Sequence, residues 1–93
     1  MRIEVKLFAT LRLALGRGSV TLDFEAPPRV SDLIDAVSRE VGEDIRPWLM
    51  SEDGNTLMGT MILLGGKNIH HLEGLDTPVT VDTVSIFPPA GGG

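Results

Sequence analysis

Ile3, Val5 and Leu7 alternate with Arg2, Glu4 and Lys6, a period of two that predicts a half-buried strand over residues 2–9. Phe8 falls on the polar side of that alternation, which puts it at a sheet margin or against something outside the core. Leu11, Leu13 and Leu15 follow, and Gly16-Arg17-Gly18 reads as a turn cluster. A second alternating run sets Val20, Leu22 and Phe24 against Ser19, Thr21 and Asp23. Two such strands joined by a loop of this length predict an antiparallel hairpin.

Ala26-Pro27-Pro28 ends the second strand, and Ser31 is the expected N-cap of a helix, its hydroxyl accepting from an unpaired amide of the first turn. Leu33, Ile34, Val37 and Val41 recur at helical spacing, and Gly42 suits a left-handed C-terminal cap. Residues 43–60, with Pro47, Trp48 and Glu52-Asp53-Gly54-Asn55, read as irregular. Met61–Leu64 is a short apolar run closed by Gly65-Gly66, compatible with a buried strand. Val84–Phe87 is the last strand, stopped by Pro88-Pro89. The expected fold is α+β, a small mixed sheet wrapped around one main helix.

Composition narrows what such a domain can do. At 93 residues the chain is expected to form one domain that buries roughly two-thirds of its unfolded surface, enough for one modest core and no deep cleft. With no cysteine it has no disulfide, thiolate metal site or thiol chemistry of its own. A formal charge of −5 argues against nucleic acid and anionic membranes as partners. The charge is uneven: residues 1–29 hold five basic and three acidic side chains, residues 30–93 three basic and ten acidic. That surface suits a partner protein with a basic docking face. No apolar run approaches the roughly 20 residues of a membrane span, and the expected location is cytoplasmic.

Candidate chemistry thins out quickly. His70 and His71 are adjacent, point in different directions and have no ligand partner at helical spacing, so no metal is assigned to them. Gly65-Gly66-Lys67 lacks the leading glycine and the trailing hydroxyl residue of a phosphate loop and reads as a turn. Glu52-Asp53-Gly54-Asn55 lacks the alternating ligands of a calcium loop. No pair of carboxylates stands in an apolar setting, so no general acid or base is assigned. The odd feature is the end of the chain: Gly91, Gly92 and Gly93 bury no side chain, yet they follow a strand and a rigid Pro88-Pro89 pair. From Pro88 to Gly93 the extended chain reaches about 20 Å, enough to enter another protein's active site.

The segment Asp82-Thr83-Val84-Ser85-Ile86-Phe87-Pro88-Pro89-Ala90-Gly91-Gly92-Gly93 resembles the close of the MoaD/ThiS-type β-grasp sulfur-carrier proteins, above all the small subunit of molybdopterin synthase. Val5-Lys6-Leu7-Phe8-Ala9-Thr10-Leu11-Arg12 is similar to that family's first strand and following turn. Val81-Asp82-Thr83 stands where the family often has Gly-Asp-Glu, Leu64-Gly65-Gly66 replaces a common asparagine-glycine turn, and Gly91 replaces a frequent serine. The resemblance implies a ubiquitin-like β-grasp domain over residues 1–87 and a flexible carrier tail over 88–93. It implies that a ubiquitin-activating-type enzyme adenylates the Gly93 carboxylate with ATP, and that a sulfur donor then displaces AMP to leave a thiocarboxylate. Gly91 and Gly92 would thread a narrow channel, and Phe8, Phe87, Pro88 and Pro89 would contact the partner. The large subunit of the synthase would hold the pterin precursor and the catalytic side chains; this chain would bind no cofactor. Alternatives with the same tail are a carrier for another product, such as the thiazole of thiamin, and a modifier joined to lysines through Gly93. A β-grasp interaction module is the bland alternative.

Overall fold

The computed structural model describes residues 1–89. Strand β1 (Arg2–Leu7) pairs antiparallel with β2 (Ser19–Asp23), Ile3 facing Leu22 and Val5 facing Val20. The period of two holds in both strands: every apolar position of the alternation is buried and every polar one exposed. Between them the expected loop contains a helix, α1 (Ala9–Leu15). Leu11 and Leu15 stand four apart, Leu11 fully buried and Leu15 half-buried, while Leu13 is 81% exposed. The Leu-x-Leu-x-Leu spacing imitates a strand, but only the i, i+4 pair is used. Gly16 ends this helix at φ 69°, its N–H donating to the Arg12 carbonyl at 3.0 Å.

Helix α2 (Val30–Val41) buries Val30, Leu33, Ile34 and Val37 against the sheet. It begins earlier than the sequence suggests, and Ser31 is not its cap. Arg29 is the N-cap, its carbonyl accepting from Leu33 N–H at 3.0 Å, while the Asp32 carboxylate accepts from Arg29 N–H at 3.1 Å. The cause lies in how the chain arrives: Val79 N–H donates to Pro28 and Val30 N–H to Thr77, pinning the backbone before Ser31 is reached. At the other end Gly42 caps the helix at φ 76°, as its position predicts. A Cβ there would meet nothing within 4 Å. Gly42→Ala therefore tests backbone strain alone, and we expect a loss of about 1 kcal/mol, seen as a Tm lower by roughly 4–8 °C. An unchanged melt would show that the helix end relaxes.

A four-residue helix, α3 (Arg46–Leu49), interrupts the irregular stretch, with Pro47 in its first turn and Leu49 in the core. Strand β3 (Met61–Leu64) turns through Gly65 and Gly66, both at positive φ, into the short β4 (Lys67–Asn68). Two consecutive left-handed residues make the tight hairpin connection that favours glycine. Strand β5 (Thr83–Phe87) then enters the middle of the sheet, parallel to β1 and antiparallel to β3. The order is β2-β1-β5-β3-β4. One cluster of buried side chains, from Ile3 to Ile86, fills the space between the sheet, α2 and the loops.

Candidate functional site

The face of the sheet away from α2 changes character along its length. At the start of β1, Arg2 and Asp23 pair across the hairpin at 3.0 Å, and the guanidinium hydrogen bond holds the Asp23 carboxyl below its usual range. Both side chains are exposed, so the pair adds little to stability. At the opposite end the face is apolar. Met61 stands directly across from Phe87 and Leu63 across from Ser85. In the parallel pair Leu7 is level with Ile86, so Phe8 comes beside Phe87. The two rings stack with centroids 4.2 Å apart and planes 10° from parallel. All four apolar side chains of this end, Phe8, Phe87, Met61 and Leu63, are half-buried.

Ala9 holds Phe8 in place. It adopts φ 53°, a conformation that costs a residue with a Cβ about 1 kcal/mol. That turn lets the chain enter α1 at once while Phe8 N–H still donates to the Ile86 carbonyl at 3.2 Å. The strain sits beside the aromatic pair.

The exit of the chain is equally fixed. Pro88 is buried and Pro89 half-buried. Gly59, at φ 91°, lies under Pro89: a Cβ on Gly59 would be 3.5 Å from that of Pro89. Proline's locked φ and this contact set the point from which the chain continues. Gly91, Gly92 and Gly93, the residues of greatest interest in the sequence, lie outside the described residues.

Of the predicted partner contacts, then, Phe8, Phe87, Pro88 and Pro89 are brought to one end of the open face and the adjoining edge, with Pro88 turned inward. Met61 and Leu63 were missed. Their signal was present: a strand that is apolar at every position has two apolar faces, and here only Ile62 and Leu64 belong to the core.

The remaining candidates resolve into structure. His70 lies in a short 3-10 turn, its Nε2 3.2 Å from the Thr60 carbonyl oxygen, and Asn68 caps that turn. Ser51 and Asn55 donate to Asp53; the Ser51 hydroxyl is the main cause of its lowered carboxyl, in a self-contained polar turn. Among the described residues no group of three or more histidines, aspartates or glutamates could hold a metal ion, and no helix is long and apolar enough to cross a membrane.

An antiparallel opening hairpin, a helix laid across the sheet and a closing strand parallel to the first in its centre define the ubiquitin-like β-grasp. The chain belongs to the ThiS family, whose match covers residues 5–93. It is 31% identical to small archaeal modifier protein 3 of Haloferax volcanii and 33% identical to a protein of Archaeoglobus fulgidus provisionally named as a sulfur carrier, each match spanning the whole of both chains. Among solved structures, SAMP1 of Haloferax volcanii superposes with a TM-score of 0.79 at 26% identity over the whole of both chains. A chain of the Amycolatopsis orientalis BexX/CysO complex superposes at 0.75 and 26% identity, with 98% of this chain and 99% of that one covered. The protein is thus a member of a family of sulfur carriers and ubiquitin-like modifiers.

Proposed function

We propose that this chain is a sulfur carrier charged at Gly93, which donates sulfur to the pterin precursor in molybdopterin synthesis. The observation that carries the reading is the arrangement at the end of β5. Pro88 and Pro89 are anchored on the fold beside an aromatic apolar patch, and Gly91, Gly92 and Gly93 follow.

The chemistry needs no side chain of this protein. A terminal carboxylate has a pKa of about 3.5 and is ionised at neutral pH. One of its oxygens attacks the α-phosphorus of ATP in the activating enzyme, and pyrophosphate leaves. Sulfide-level sulfur from a donor then attacks the carbonyl carbon of the resulting acyl adenylate; a C–S bond forms, the C–O bond to AMP breaks, and AMP and a proton leave the thiocarboxylate. Glycine has no Cβ to obstruct either approach. The patch of Phe8, Phe87, Met61 and Leu63 serves docking, since aromatic and methionine side chains are enriched in the buried centres of protein interfaces. Catalytic groups belong to the partners: the adenylating enzyme, the sulfur donor and the large subunit of the synthase.

Intact mass decides the matter. Incubation with the activating enzyme, ATP and a sulfur donor should convert a fraction of the protein to a form with one oxygen replaced by sulfur. Finding the plain carboxylate alone would sink the proposal. The second reading, a modifier joined to target lysines, draws support from the similarity to small archaeal modifier protein 3. It predicts higher-mass adducts that, after tryptic digestion, carry residues 68–93 on the target lysine, since Lys67 is the last basic residue before Gly93.

A further inference from the structure

Met58 has the most exposed large apolar side chain among the described residues, 97% open to solvent, in the segment leading into β3. Nothing in the fold gains from that exposure. Its position gives the exposure a use. Gly59, the next residue, lies in contact range of Pro89. The β3–β5 pairing ends with Met61 against Phe87, and Gly59 and Pro89 each lie two residues beyond that last pair. Met58 therefore flanks the place where the chain leaves the fold for Gly93.

We propose that Met58 is a contact residue for the enzyme that adenylates the terminus, and that its thioether is a site of oxidative modification that breaks this contact. The inference rests on the activation of Gly93 proposed above. From Pro89 to Gly93 the chain spans at most about 17 Å. For the carboxylate to meet the α-phosphate of ATP, the enzyme surface must close to within that distance of Pro89, and Met58 stands beside it. An unbranched, polarisable side chain adapts to an apolar pocket and gains from burial there.

Oxidation reverses the gain. The sulfur lone pair attacks one oxygen of a peroxide, the O–O bond breaks and an S–O bond forms. Two electrons pass from sulfur to the peroxide, whose other oxygen takes up a proton and leaves as water or an alcohol. The product is a polar sulfoxide. Exposure selects the residue: Met50 and Met61 are half-buried and Met1 is 41% exposed.

The test is the rate of ATP–pyrophosphate exchange by the ubiquitin-activating-type enzyme of the same cell, with the full chain as substrate. Met58→Gln, which imitates the polarity of the sulfoxide, should lower kcat/KM by roughly tenfold, mainly through KM. Wild-type protein treated with hydrogen peroxide should fall by a similar factor and recover after methionine sulfoxide reductase. Met58→Leu should show the same rate before and after peroxide. Equal rates for wild type, Met58→Gln and oxidised protein would overturn the inference alone. A wild-type chain that supports no exchange would overturn the activation of Gly93 and this inference with it.

Discussion

Deleting Gly93 is expected to abolish the thiocarboxylate completely, and Gly92→Trp to do the same with Gly93 still in place. Deletion moves the carboxylate back by one residue on a tail of fixed origin, since Pro89 is held against Gly59. The substitution leaves the reach unchanged but adds an indole where a narrow channel has to admit bare backbone. Intact mass after incubation with the activating enzyme, ATP and sulfur donor should show only the oxygen form for both variants. Both should also keep the melting temperature of the wild type, because the buried cluster is built from residues 3–86. A charged fraction close to that of wild type in either variant would refute the threading of Gly92 and Gly93. A large fall in Tm would instead refute the separation of tail and fold.

The opposite dissociation is expected of Ile86→Ala. Ile86 is fully buried in the central strand, level with Leu7 on one side and Ile62 on the other, so the vacated space is walled by two neighbours that cannot close it. Truncation of such a side chain costs about 2–5 kcal/mol, against a total stability of roughly 5–15 kcal/mol for a domain. Urea or thermal unfolding should show that loss, with the tail sequence untouched. A loss below about 1 kcal/mol, well under the usual cost of such a truncation, would mean that the centre of the sheet repacks.

Much of the fold could be read from residue order because the relevant physics is local. Period two in β1 and β2, period 3.6 in α2 and the positive φ required at Gly42 each act over a few residues. Where the reading failed, a distant contact decided. The start of α2 at Arg29 depends on Thr77 and Val79, far along the chain. Helix α1 was hidden because three leucines at alternating positions satisfy two periodicities, and only the packing of Leu11 chooses between them. The candidate site was half legible. Phe8 on the polar side of a strand and Phe87 before Pro88-Pro89 were visible anomalies, and the structure stacks them. Met61 and Leu63 were not distinguished from their buried neighbours, because an apolar run does not say which face stays open. Met58 gave no pattern at all; it lies beside the exit of the chain because the next residue, Gly59, is in contact range of Pro89.

The central place of β5 has a consequence for synthesis on the ribosome. It is the last of the described strands to be made, yet it joins the β1-β2 hairpin to the β3-β4 hairpin, which do not otherwise pair. A chain that stops short of Thr83 is left with two disconnected hairpins and no stacked aromatic pair. Closure across such sequence separation is the slow step in folding a sheet. The stacked aromatic end of the sheet thus forms only after β5 has been translated, so anything that recognises it also registers that synthesis has passed Phe87.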